Sequence, residues 1–523
     1  MKRTIRGISI FSLLCALSWP ANSQLQFPAE SVLASGTWHR IAVAEAGVYK
    51  IDHAFITGQL GLSPASVDAR QIRIYGNRGG ALPQKIDSNL TTDLQEIHAW
   101  RSGLDDGTFN QGDFILFYAE GPDRWYLNDN DRYFMVRNIY DQRNHYFIRI
   151  GGGNAATIAT EPSLPQADLE VSTSDERVRR EIDRVNLLGK FQPPGSGKRW
   201  FGDEFSATRE KTYTLEVPDV VTGSEVRLEV DFAGRSGVQS NVYADAGGQV
   251  FSQFISHVNL GNVEDDYARI GRISGAYLAA GDAQSITIRY PAVAGSTSSG
   301  WLDFIQVEAP RQLIFRAPSV TFRNIESQYH TSARYTISNA GAGTVVWDIT
   351  DPLTPVQRLT GSGGNTISFA ALTGARVREY LAFNPNGNFA RPEYVDQVPN
   401  QNLHGITGAD LVIIYHPDFE EAAMRLAEHR RTHSGYRVQA VPIQQVYNEF
   451  SGGSVDATAI RNLAVMLKNR DPEFRFLLLF GDGTYDMRHL NQDIENDNYI
   501  PVYETNESLD PIRSFPSDDY FAL

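Results

Sequence analysis

The pattern of apolar and polar positions changes once along the chain, near residue 409. Upstream, short segments alternate apolar and polar residues and end in turns rich in Gly, Pro and Ser, as in "GTWHRIAVAEAGVYKID" and "ARYTISNAGAGTVVWDIT". Such alternation is typical of antiparallel strands with one buried face. We therefore predict a multidomain protein whose N-terminal modules are β-rich, of the β-sandwich or immunoglobulin-like kind.

Downstream, the pattern indicates alternating strands and helices. "DLVIIYH" is a continuous apolar run, as expected for a strand buried on both faces. A first helix ends at Gly435, and its apolar residues have helical spacing: Phe419, Ala422, Ala423 and Leu426. "YRVQAVPI" is a second strand, Asp456 begins a second helix, and "FRFLLLF" is a third strand. This order predicts a parallel sheet with right-handed crossovers.

These patterns divide the chain into six parts: a signal peptide (1–23), a β-rich domain (24–155), a linker (156–198), a β-sandwich domain (199–309), a β-sandwich-like module (310–400) and an α/β domain (401–523). The linker is polar and contains several prolines, and one helical piece is predicted within it, around residues 175–188.

The first residues form an export signal. Lys2, Arg3 and Arg6 precede the apolar segment 8–17, and the small residues at 21–23 suit cleavage before Gln24. The apolar segment is too short to span a membrane. We therefore expect an exported protein at the cell surface or outer membrane.

Charge and cysteine content restrict the chemistry. The net charge of −15 argues against a nucleic-acid partner, because phosphate binding requires a basic surface. Cys15 is the only cysteine and lies in the predicted signal peptide, so residues 24–523 contain no thiol and no disulfide.

The turn "GDGTYD" after the third strand lies where open α/β sheets bind ligands. Asp486 occupies the position of the third glycine of a dinucleotide-binding motif, which argues against that function. A two-metal phosphatase needs an Asp-x-His element, and none of the 11 histidines has Asp two residues before it. Two interpretations stay open: a turn held by hydrogen bonds, which the local sequence favours, and a calcium site made by Asp482, Asp486, Asp493 and Asp497.

The histidines give weaker signals. His429 and His433 lie four residues apart on the first helix, a spacing that can chelate zinc. A zincin would need Glu at position 430, which is Arg430, and we expect the two histidines to complement the helix dipole. His404 and His416 are expected to be structural. No catalytic residue and no organic cofactor are predicted from these patterns.

Five quoted segments in this order resemble the start of a gingipain-type cysteine peptidase domain: "DLVIIYHPDF", "VYNEFSGG", "DATAIRN", "FGDGTYD" and "SDDYFAL". Within that family, the resemblance is greatest to the signal peptidase and sortase of the type IX secretion system. The upstream segments "GDFILFYAEGPDRWY" and "GKRWFGDEF" are similar to the β-rich N-terminal region of the same enzymes.

The resemblance implies a caspase- or gingipain-like α/β fold and a surface endopeptidase that removes C-terminal sorting domains from secreted cargo. Cargo proteins and other type IX components at the outer membrane are the implied partners. In this family a Cys nucleophile and its His lie in the second half of the peptidase domain, so we expect a truncated first half without catalytic residues. "GDGTYD" is then expected to end a central strand. The alternative is a non-catalytic surface β-sandwich protein that binds cargo or glycan.

Overall fold

A computed structural model describes residues 25–86, 91–190, 195–491 and 498–522. Its N-terminal part contains nine strands: β1 (Thr37–Val43), β2 (Gly47–Asp52), β3 (Ile72–Gly76), β4 (Gln95–Ile97), β5 (Trp100–Ser102), β6 (Phe114–Ala119), β7 (Arg124–Leu127), β8 (Tyr133–Val136) and β9 (Asn144–Ile150). Short helical turns accompany them: Val32–Ala34, Phe55–Gln59, Pro64–Ser66, Ala69–Gln71 and Leu104–Asp106.

This first β module is built from two packed sheets and a hairpin. One sheet has the order β1-β9-β3-β4, and the other has the order β2-β6-β5. Strands β7 and β8 form a separate hairpin. The core between the sheets contains Ile41, Ile74, Phe117 and Ile148, which are fully or almost fully buried. Alternate residues of these strands contribute to this core, and β6 is buried on both faces.

Two further β modules follow. Their strands are β10 (Ala159–Glu161), β11 (Leu169–Val171), β12 (Thr173–Glu181), β13 (Glu210–Glu216), β14 (Glu225–Ser236), β15 (Ser240–Ala246), β16 (Gln249–Ile255), β17 (Arg269–Leu278), β18 (Ala283–Arg289), β19 (Ser298–Gln312), β20 (Ser319–Arg323), β21 (Ser332–Ser338), β22 (Val345–Asp348), β23 (Val356–Arg358), β24 (Gly361–Gly363), β25 (Thr366–Leu372) and β26 (Glu379–Phe383).

Each of these modules is a pair of sheets. The second module packs β12-β19-β14-β17 against β13-β18-β15-β16. The third packs β10-β23-β22-β26-β20 against β11-β21-β25-β24. The β-rich architecture predicted from alternation is confirmed.

The helix predicted around residues 175–188 is wrong. Strand β12 covers the first part of that segment and pairs antiparallel with β19 over nine residue pairs. Its Arg and Glu residues favour helix locally, but tertiary contacts override that preference. The Arg177 guanidinium, for example, lies 2.7 Å from Glu379 of the third module. Strands β10, β11 and β12 show that the segment predicted as a linker contributes to the sheets of the second and third modules.

Strand β27 (Glu393–Val398) follows the third module in sequence but joins the first. It pairs antiparallel with β1 and extends that sheet to five strands. The chain therefore returns to the first module before the α/β part begins.

The described residues of the α/β part form three strands and three α-helices: β28 (Leu411–Tyr415), α1 (Glu420–Ser434), β29 (Val438–Pro442), α2 (Ile443–Phe450), α3 (Ala457–Arg470) and β30 (Phe476–Phe480). Both predicted longer helices are confirmed with their ends: Gly435 terminates α1 with φ 70°, and the Asp456 side chain accepts from the Thr458 amide at the start of α3. Within the described residues, no helix is long and apolar enough to cross a membrane.

The three strands form a parallel sheet in the order β29-β28-β30, with a helix on each face. Ile413 of β28 faces α1, where it packs near Ala423 and Ala427. Val412 and Ile414 face the opposite side and pack near α3. Every residue of β28 is buried, as its apolar run predicted.

The expectation that "GDGTYD" ends a central strand is wrong for the residues that the structure describes. β28 is central, and β30 lies at the edge, where Phe476 is 45 % exposed. The first crossover adds a strand on one side of β28 and the second adds a strand on the other side, so the last strand in sequence becomes an edge.

Candidate functional site

The carboxyl ends of β28, β29 and β30 lie side by side at one edge of the parallel sheet. His416 follows β28 and Gly481 follows β30 at this edge. This is the position where open α/β sheets bind ligands. The segment 498–502 also lies at this edge, because the Tyr499 and Ile500 amides donate to the Asp482 carbonyl oxygen, both at 3.0 Å.

Aromatic rings pack where this segment meets the sheet. The Tyr499 ring lies edge-to-face with His416, at a centroid distance of 5.0 Å, and with Phe419, at 4.8 Å. The Asp418 amide donates to His416 Nδ1 at 3.4 Å. His416 therefore has a packing role here, as expected from the sequence.

Gly483 permits the close approach of the two segments. A Cβ atom at this position would lie 2.2 Å from the Ile500 carbonyl oxygen and 2.7 Å from Val502 Cγ1. Real Cβ atoms do not approach so closely, so only glycine fits while the 498–502 segment stays in place. The lack of space for a side chain therefore explains why the last residue of "GDG" is glycine.

The two aspartates of this turn that were predicted as calcium ligands have different environments. The Asp486 side chain is fully buried, and its carboxylate accepts from the Leu490 and Asn491 amides, both at 2.8 Å. Asp482 is exposed, and its carboxylate accepts from the Gly483 amide at 2.8 Å. Asp486 therefore stabilises the turn that follows.

The other two predicted ligands, Asp493 and Asp497, lie outside the described residues. Across 25–86, 91–190, 195–491 and 498–522, no group of three or more His, Cys, Asp or Glu side chains is arranged to hold a metal ion. Calcium binding by the four aspartates stays a prediction.

The "DATAIRN" segment connects α3 to the first β module. The buried Asp456 carboxylate accepts from the Leu82 amide at 2.8 Å as well as from Thr458 at the helix start, at 2.7 Å. Burial raises the pKa of Asp456 to about 6. The Arg461 guanidinium donates to the carbonyl oxygens of Pro83 and Gln84. The site edge is thus fixed to the β region by polar contacts.

Sequence reasoning missed a second connection, through helix α2. Glu449 and His404 are both fully buried, with 2.5 Å between Glu449 Oε2 and His404 Nδ1. The Glu449 carboxylate also accepts from the Leu403 and His404 amides, at 2.7 and 2.9 Å. His404 Nε2 lies 2.8 Å from the Thr92 carbonyl oxygen of the first module. His404 is structural, as expected, but its partners could not be read from the sequence.

The signal for α2 was present in the sequence. Its buried apolar residues are spaced i, i+3, i+4 and i+7: Ile443, Val446, Tyr447 and Phe450. A helix of eight residues is short enough for this pattern to be taken as part of a loop.

A third connection joins the segment after residue 498 to the loop between β12 and β13 of the second module. Glu504 is 1 % exposed, and burial raises its pKa to about 7. Lys198 of that loop lies near it, and burial lowers the pKa of Lys198 to about 8. Trp200 stacks on Tyr485 of the "GDGTYD" turn, with ring centroids 6.0 Å apart. The turn is therefore shaped by contacts from distant parts of the chain.

Comparison with known proteins supports the resemblance seen in the sequence. Residues 406–523 match peptidase family C25. The chain is similar to dimeric latent PorU from Porphyromonas gingivalis, with a TM-score of 0.80 and 25% sequence identity over 95% of this chain and 46% of that one. The chain thus spans less than half the length of this relative. No curated protein matches the chain.

Two other solved structures share only local likeness. The carbohydrate-binding module CBM36 in complex with calcium and xylotriose is 15% identical, with a TM-score of 0.17, over 25% of this chain and 98% of that one. The insecticidal delta-endotoxin Cry8Ea1 from Bacillus thuringiensis is 11% identical, with a TM-score of 0.18, over 48% of this chain and 43% of that one. Neither likeness carries an argument about this protein.

Proposed function

We propose that this chain is the N-terminal part of a cysteine endopeptidase and sortase that removes C-terminal sorting domains from cargo of the type IX secretion system. The similarity to PorU over 95% of the chain is the observation that supports this proposal most. The match of residues 406–523 to peptidase family C25 supports the peptidase class.

The chemistry of the proposal requires a thiolate beside an imidazole and backbone donors for the oxyanion. Residues 24–523 contain no cysteine. We assign no catalytic residue within this chain, and we expect the chain by itself to hydrolyse no peptide. Its proposed part in the reaction is to hold one half of the peptidase domain against the β modules, through Asp456, Arg461 and the pair of Glu449 and His404.

The partners and location in the proposal are those of a surface enzyme. Secreted proteins with C-terminal sorting domains are the proposed substrates, and other type IX components at the outer membrane are the proposed neighbours. Export through the N-terminal signal belongs to the same proposal. Calcium bound at Asp482, Asp486, Asp493 and Asp497 belongs to the same proposal.

The test is disruption of the gene in the cells that carry it, followed by mass spectrometry of surface and secreted proteins. We expect cargo to retain its C-terminal sorting domain, and an intact copy of the gene to restore cleavage. Normally processed cargo in the disrupted strain would contradict the proposal. Purified protein covering residues 24–523 serves as a second test. Peptide hydrolysis that depends on added thiol would contradict the expectation that this chain by itself is inactive.

A second candidate function, glycan binding without catalysis, is favoured by one observation. Tyr126 and Phe134 on the β7–β8 hairpin are exposed and stacked, with ring centroids 5.4 Å apart and planes at 20°. An exposed aromatic face of this kind can contact the apolar face of a sugar. Retention of the chain on an immobilised glycan that is lost in Tyr126→Ala and kept in Leu278→Ala, another exposed apolar residue, would support this function.

A further inference from the structure

Helix α1 carries two histidines one turn apart near its C-terminal end. The side chains of His429 and His433 are both exposed. Their rings are nearly parallel, at 11°, with centroids 5.1 Å apart. Residues four positions apart lie on the same helix face, so the two imidazoles are available to a ligand from one side.

The helix end adds a favourable field for a cation. The last carbonyl groups of a helix carry a partial negative charge, and His433 lies in the last turn of α1. The positive charge of the neighbouring Arg431 is partly offset by Glu428, because the Glu428 carboxylate lies 3.5 Å from the Arg431 guanidinium. An ion at this site would stay accessible to water, which can complete its coordination.

We propose that His429 and His433 form a two-ligand site for a divalent first-row transition-metal ion. Imidazole nitrogen is a ligand that suits Zn²⁺, Cu²⁺ and Ni²⁺, and the usual order of affinities predicts that Cu²⁺ binds more tightly than Zn²⁺. The site is not a zincin centre, because Arg430 stands where the catalytic Glu would be. This proposal is independent of the peptidase function.

The first test is calorimetric titration of purified protein with Cu²⁺ and with Zn²⁺ in a buffer that does not bind metals. We expect one ion per chain at this site. Removing a residue that only hydrogen-bonds to a metal ligand lowers metal affinity by about 10–100-fold. Removing a ligand itself, as in His429→Ala or His433→Ala, should therefore lower the affinity by at least about tenfold. His257→Ala, which removes an exposed histidine elsewhere, should leave the affinity unchanged.

A second variant keeps the number of histidines and changes only their spacing. Arg431→His combined with His433→Ala places the two histidines two residues apart, on different helix faces. We expect this double variant to bind no better than His433→Ala. Calcium at millimolar concentration should not compete with Cu²⁺, because calcium prefers oxygen ligands.

Three results would overturn the proposal. They are a wild-type protein that binds neither ion, a His429→Ala variant that binds as tightly as wild type, and a spacing variant with wild-type affinity. All the variants change exposed positions of α1 or of a surface loop, so far-ultraviolet circular dichroism should show an unchanged fold.

Discussion

Replacement of Gly483 by alanine should detach the 498–502 segment from the turn after β30. The added Cβ would lie 2.2 Å from the Ile500 carbonyl oxygen, closer than any real contact. The backbone at Gly483 does not have a positive φ, so alanine is allowed at this residue itself. The expected effect therefore comes from the neighbouring segment, which must move.

The magnitude follows from two contributions. Overpacking in a close-packed region costs about 1–3 kcal/mol. Displacement of the segment also breaks the hydrogen bonds from the Tyr499 and Ile500 amides to the Asp482 carbonyl oxygen, each with a net contribution of about 1 kcal/mol. Together these reduce the free energy of local opening by about 3–5 kcal/mol. Since about 1.4 kcal/mol corresponds to a factor of ten, exchange of the two amides should accelerate about 140- to 3,700-fold.

Hydrogen exchange measured by mass spectrometry is the appropriate assay, because a chain of several modules need not unfold in one step. Peptides covering Tyr499 and Ile500 should exchange faster in Gly483→Ala, whereas the β modules should be unchanged. Gly341→Ala is the matched control, since a Cβ there meets nothing within 4 Å. If both variants exchange alike at Tyr499 and Ile500, the steric account of this turn is refuted.

Three further outcomes are expected. Glu449→Ala should reduce the free energy of local opening of α2 by about 3–5 kcal/mol in hydrogen exchange, because it leaves buried His404 without its carboxylate partner, whereas exposed Glu428→Ala should change it by less than about 0.5 kcal/mol. Equal effects of the two variants would contradict the role of the pair. Because burial raises the pKa of Glu504 from 4.5 to about 7, its contribution to the stability of the folded protein should be fully present below about pH 4.5 and should decrease by about 3 kcal/mol as the pH rises through 7. Glu504→Gln should remove this pH dependence of stability, and a variant whose stability varies with pH as in the wild type would contradict the prediction. Millimolar calcium should raise the melting temperature of the wild-type protein, and Asp482→Asn should make that rise smaller. If calcium has no effect on the wild type, the calcium-site interpretation is wrong and the interpretation as a hydrogen-bonded turn remains.

The sequence by itself determined the local elements of this protein. The apolar run of β28 predicted a strand buried on both faces, and the ends of α1 and α3 were marked by Gly435 and Asp456. A strand buried on both faces depends on a short run of apolar residues. A glycine in the left-handed conformation at the end of a helix and a side-chain cap at its start each depend on the residue type at one position. Such features can be read without knowing which segments meet. The family resemblance also needed only ordered short segments.

Only the tertiary structure decided which segments are neighbours. Strand β27 joins the first module, β12 is a strand despite its helix-favouring charges, and β30 lies at the edge of its sheet rather than in the centre. The partners of Asp456, Glu449 and Gly483 are likewise distant in sequence. Strand pairing and buried polar contacts depend on the residues opposite, and a local pattern of apolar and polar positions does not identify those residues.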